Sequence, residues 1–140
     1  MLGYYRNPLN HAFFNEGLVI VSIYSYGIDK AWKDGVALDD LFKRACFMSK
    51  LLKREEVIQN RINSKNYHVF ESILNVMMER RMIQKVGENL ISLKTTSEAT
   101  ILFAAQLIWP MIDSYYITLM FTLSLIKNRG VELIQFYKRV

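Results

Sequence analysis

Apolar residues recur at helical spacing along most of this chain, and the spacing breaks in one place. From Asn7 to about Tyr26, Leu9, Phe13, Ile20 and Ile23 stand at steps of four, seven and three, which predicts a first helix. Asn7 can cap it, Pro8 suits the first helical position, where a missing N–H costs nothing, and Gly27 can close it. The residues ahead, Tyr4-Tyr5-Arg6, then read as an extended arm. A loop with Asp29, Lys30, Asp34 and Gly35 follows, and Trp32 within it is expected to tuck onto the core.

A second helix is predicted over Leu38 to Lys53, with Leu38, Leu41, Phe42, Ala45, Met48 and Leu52 as its apolar stripe. Asp39 and Asp40 sit in its first turn and Lys50, Lys53 and Arg54 at its end, the order a helix dipole favours. A third helix is predicted over Asn66 to Arg81, burying Phe70, Ile73, Leu74, Met77 and Met78. Then the period changes. Met82 to Val86 and Leu90 to Leu93 are short β-like runs around Gly87-Glu88-Asn89, which is a hairpin signal. Thr95-Thr96-Ser97-Glu98 reads as a capping box opening the longest apolar stretch, Ala99 to Ile126, with Asn128 and Gly130 as its end. Val131 to Val140 reads as one more amphipathic helix. The chain is thus mainly α, a single domain over 1–140, with a winged-helix-like middle over 38–94 made of helices and one small hairpin.

Ala99 to Ile126 is long enough to cross a bilayer. Gln106, Pro110 and Asp113 near its centre argue against that, because an ionised Asp at mid-membrane costs about 3 kcal/mol even on a lenient scale. A kinked helix, or two helices, buried on most sides by protein is expected instead. Pro110 supplies the kink and frees backbone polar groups. Asp113 is expected to be held there, with Arg6 as its partner through a two-pronged guanidinium contact. The Trp109-Pro110-Met111 corner is where a surface-lying membrane contact is expected.

The 140 residues are about half apolar and carry a net charge of +5, a globular balance with a mild preference for anionic surfaces. One cysteine, Cys46, excludes an intrachain disulfide and a thiolate metal site. Two histidines far apart give no ligand pattern, and the scattered glycines form no phosphate loop. The third helix and hairpin would expose Tyr67, His68, Glu71, Ser72, Asn75, Glu79, Arg80, Arg81 and Glu88. A face with those carboxylates repels phosphate, so no specific nucleic-acid binding is expected.

Three stretches carry a resemblance. Tyr4-Tyr5-Arg6-Asn7-Pro8-Leu9-Asn10-His11, ahead of an apolar helix, resembles the start of the C-terminal region of the glycerol-3-phosphate and dihydroxyacetone-phosphate acyltransferases. Phe47 to Arg54, followed by Glu55-Glu56-Val57-Ile58, is similar to the family helix that leads into Glu-Phe, with Glu56 where an aromatic residue is typical. Trp109 to Tyr116 is similar to the family's Pro-Phe-x-acid-Ser-Tyr element.

The resemblance implies a parent enzyme that moves a fatty acyl group from acyl-CoA or acyl carrier protein to the 1-hydroxyl of glycerol 3-phosphate, giving lysophosphatidate. Both ends of the chain then read as cut, with the catalytic motifs before Met1. That family uses a His and an Asp separated by four residues. Here His11 meets Glu16 at that distance and His68 meets Ile73. Five helical residues turn through about 500°, so His11 and Glu16 point about 140° apart. No catalytic, cofactor-binding or metal residue is assigned. Structural roles fall to Tyr4, Tyr5, Arg6, Asn7, Pro110, Asp113 and Tyr115. The implied partners are an upstream acyltransferase domain of the same chain and an intracellular membrane surface. The competing reading is a winged-helix module that binds nucleic acid or a protein partner.

Overall fold

The computed structural model describes the backbone of residues 2–52 and 62–139, and the side chains of 13–52, 62–94 and 96–127. Two compact units result, Met1–Trp109 and Pro110–Val140.

The first unit is built around α1 (Leu2–Tyr24). A π-helical turn (Lys30–Asp34), β1 (Val36–Ala37), α2 (Leu38–Leu51), α3 (Tyr67–Glu79), β2 (Ile83–Val86) and β3 (Leu90–Leu93) follow. A 3-10 turn (Thr95–Ser97) then leads into α4 (Glu98–Arg139). The sheet is antiparallel, in the order β1-β3-β2, with Val36 opposite Ile91 and Lys85 also opposite Ile91 from the other side. The mainly α class with a small hairpin is therefore correct. The hairpin gains a third strand that two residues are too short to announce by alternation.

Phe14, Leu18, Val19, Ile20, Val21 and Ile23 of α1 are all buried. A helix buried all round over these turns shows no amphipathic period there, and the expected start rested on the cap chemistry of Asn7 and Pro8. α1 begins at Leu2, so Tyr4, Tyr5 and Arg6 are helical rather than extended, and Asn7 and Pro8 lie inside the helix instead of capping it. Their side chains lie outside the described residues, as does that of His11. Gly27 closes the segment as expected, at φ +100°, donating its N–H to the Tyr24 carbonyl at 3.0 Å. The expected loop is a π-turn instead, and Trp32 is half-buried with its ring edge-on to Tyr24 at 6.1 Å.

α2 and α3 follow their stripes. Leu41 and Ala45 are buried on α2, and Phe70, Leu74 and Met77 on α3. The end of α3 is set by Arg81, in the left-handed region at φ +59°. Arg81 N–H donates to the Met78 carbonyl and Met82 N–H to the Met77 carbonyl, both at 2.9 Å. That paired pattern, with Met77 and Met82 both fully buried, is a Schellman ending that aims the chain into β2. The predicted extension over Lys53 and Arg54 and the stretch Glu55 to Ile58 lie outside the described residues.

α4 starts at Glu98, after a 3-10 turn over Thr95–Ser97; the Thr95 side chain of the expected capping box lies outside the described residues. It continues past Asn128 and Gly130 to Arg139, since one interior glycine weakens a helix by only about 1 kcal/mol. Ile101, Ala104, Ala105, Leu107 and Ile108 are buried in the first unit. Gly17 permits this approach. A Cβ added to it would lie 2.5 Å from the Ala104 carbonyl oxygen and 2.7 Å from Ile108 Cγ1.

Candidate functional site

Glu16, the residue at catalytic spacing from His11, is committed elsewhere. Its Oε1 accepts a hydrogen bond from Arg80 Nη1 at 3.0 Å, with the carboxylate almost wholly buried. Arg80 was expected on an exposed reading face. It is exposed as expected, and it also turns its guanidinium to Glu16 and over the Phe13 ring at 5.7 Å, while Phe13 meets Phe103 edge-on at 5.9 Å. Residues from α1, the end of α3 and α4 are thereby tied together, which is a structural use of the only carboxylate at that spacing. No sequence signal joins residues so far apart in the chain. His68 is exposed in the first turn of α3. No metal-binding group of His, Cys, Asp or Glu occurs among the described residues.

Glu71, Glu79 and Glu88 are all exposed, as the sequence predicts. Tyr67, also counted on that face, packs edge-on against Phe42 at 4.9 Å.

Two surfaces remain. Within the first unit, an open groove of about 400 Å³ is lined by Tyr24, Ile28, Leu102, Ala105, Gln106 and Trp109. Burial pushes the Tyr24 phenol above its ordinary value, Glu98 adds to that, and a hydrogen bond with Trp32 opposes it. Tyr24 therefore stays neutral at physiological pH, and the groove offers an apolar floor with a hydroxyl and an amide. Trp109 at its rim is 47 % exposed.

The second unit departs from expectation. Asp113 is exposed, and no described residue of 110–127 is buried, so the picture of a segment enclosed by protein on most sides fails here. Three hydroxyls of the segment bond its own backbone. Ser114 donates to the Pro110 carbonyl, Thr118 to Ser114 and Thr122 to Thr118, each at 2.8 Å. These acceptors do not include the Gln106 carbonyl that Pro110 leaves without a backbone donor. Tyr115 is half-buried. The expected Arg6 partner lies outside the described side chains. No helix, among the described residues, is long and apolar enough to cross a membrane.

Among the described residues the arrangement offers contact surfaces and brings no reacting pair together. A family model described as the glycerol-3-phosphate acyltransferase C-terminal region matches residues 1–140, the whole chain. Comparison with curated proteins and with solved structures gives no match.

Proposed function

The chain belongs to the family of glycerol-3-phosphate acyltransferase C-terminal regions, and from that premise we propose that it braces a catalytic domain and helps to seat it at a membrane. The enzyme so completed would transfer an acyl group from a thioester donor, acyl-CoA or acyl carrier protein, to the 1-hydroxyl of glycerol 3-phosphate. This chain's residues supply no base for that hydroxyl. Their contribution is to hold the catalytic domain in place. The observation that carries the reading is the apolar groove of the first unit with the exposed Trp109 at its rim. The Trp109 rim and the net charge of +5 favour contact with anionic lipid.

The middle of the chain supports a winged-helix reading of the same part. The order of helix, short strand, two helices and hairpin, with the short strand beside the hairpin's second strand, is a winged-helix order. The unit would then take in Val36–Ala37 as well as 38–94. Exposed Glu71, Glu79 and Glu88 favour its use as a packing module rather than as a reader of nucleic acid.

The test joins an acyltransferase domain of this family to the chain and compares it with the domain alone. Higher thermal stability, higher turnover and flotation with phosphatidylglycerol vesicles are expected of the joined protein. Equal stability, turnover and flotation would overturn the reading.

A further inference from the structure

We propose that α4 pairs with a second copy of this chain, antiparallel, across the face centred on Met120. On residues 116–126, Tyr116, Ile117, Leu119, Met120, Phe121, Leu123, Leu125 and Ile126 are each 47–65 % exposed. These side chains point all round the helix; the four on the face centred on Met120, which are Tyr116, Ile117, Met120 and Leu123, leave roughly 400 Å² uncovered, the size of the largest apolar patch of an ordinary monomer. A standard interface buries about 800 Å² per partner, so this face makes a small one.

The sequence around Met120 is arranged symmetrically. Seven residues on either side stand Asp113 and Lys127, and seven residues return a helix to within about 20° of its starting direction. Tyr116, Ile117, Leu123 and Ser124 lie three and four residues away on the same face. Asp113, Ser124 and Lys127 are exposed.

Between Pro110 and Lys127 these are the only charged residues, and they are of opposite sign at opposite ends. Two copies in parallel would set Asp113 against Asp113 and Lys127 against Lys127. Reversed about Met120, each Asp113 meets a Lys127 of the other copy, and Tyr116 meets the small Ser124. The opposite side of the helix is different. Ser114, Thr118 and Thr122 stand there with their hydroxyls turned onto the backbone. A single helix pair covers only part of the exposed area, so the dimer is a weak one that dissociates at micromolar concentration. This inference does not depend on the function proposed above.

Sedimentation of the full 140-residue chain across a concentration series tests it. A monomer–dimer equilibrium is expected. Asp113→Lys alone and Lys127→Asp alone should each weaken it about tenfold, because two symmetric pairs turn repulsive, and the double exchange should restore it. In a Cys46→Ser background, Met120→Cys should form an intermolecular disulfide on mild oxidation, and Thr122→Cys should not. The Cys pair reads the geometry even where a charge variant folds poorly. A chain that remains monomeric at 100 µM overturns the proposal. So does a dimer indifferent to the charge exchange, and so does a chain that stays monomeric while α4 enters vesicles.

Discussion

Gly17→Ala is expected to destabilise the first unit by about 2 kcal/mol. In most helices the same change stabilises, since Ala is favoured over Gly by about 1 kcal/mol. Gly17 differs because its missing side chain is the space into which α4 packs. The new Cβ would sit 2.5 Å from the Ala104 carbonyl oxygen and 2.7 Å from Ile108 Cγ1. Ile108 can yield by a rotamer, but the carbonyl belongs to helix backbone and moves only with α4. Overpacking costs about 1–3 kcal/mol, and a backbone clash belongs at the upper end. Subtracting the propensity gain leaves about 2 kcal/mol, or roughly 7 °C in Tm for a chain of this size. Thermal and urea unfolding by far-UV circular dichroism measure it, with the exposed Ser72→Ala as a reference for propensity alone. A Gly17→Ala chain as stable as the parent, or more so, would refute the close crossing of α1 and α4.

Arg80→Ala, which leaves a buried Glu16 carboxylate without its guanidinium, should destabilise by about 1–2 kcal/mol, below the fully buried case because Arg80 is half exposed; a Glu16→Gln, Arg80→Ala cycle in urea should show clear coupling. Arg81→Gly should stabilise by about 0.5–1 kcal/mol by relieving a left-handed residue at a helix end, and a loss in the same assay would contradict the Schellman ending. Burial pushes the Cys46 thiol up, so its stabilising contribution is full below the unfolded thiol's pKa and is lost as pH rises through the folded value. Alkylation by iodoacetamide should therefore inflect at higher pH in the folded chain than in urea. The chain alone should show no acyl transfer from acyl-CoA to glycerol 3-phosphate; turnover that survives purification and is lost in His11→Ala would overturn this.

What the sequence disclosed depended on how each element is buried. α2 and α3 each bury one side, so Leu41, Ala45, Phe70, Leu74 and Met77 announced both helices and their core faces. The hairpin was legible because alternation and Gly87 coincide. α1 is buried all round between Phe14 and Ile23, and local cap chemistry at Asn7 and Pro8 then suggested a start five residues late. β1 is two residues long and exists only because β3 lies beside it. The Glu16–Arg80 pair joins distant parts of the chain, and Arg80 read in isolation belonged to an exposed helix end. Asp113 was misjudged for a different reason. Its burial was inferred from the polar groups that Pro110 frees, but a freed carbonyl does not dictate that protein covers the segment, and Asp113 is exposed.

That last point bears on what α4 is built to do. Its first turns bury small and branched residues, Ile101, Ala104, Ala105 and Ile108, where backbone must approach backbone. Its later turns present Leu, Ile, Met, Phe and Tyr outward. An apolar surface is cheap to cover only when no polar group beneath it loses water, because an unpaired buried hydroxyl costs several times what a methylene gains. On the far side of the helix Ser114, Thr118 and Thr122 are satisfied locally, each donating to the carbonyl four residues back. Covering the face centred on Met120 therefore leaves those hydroxyls on the far side and desolvates Ser124 and the Tyr116 hydroxyl along with Asp113 and Lys127. Those two charges contribute least to affinity, being at the ends and exposed, yet they are what distinguishes one orientation of a partner from the other. Adhesion thus comes from the apolar side chains and direction from the terminal charges, and the two should respond separately to mutation.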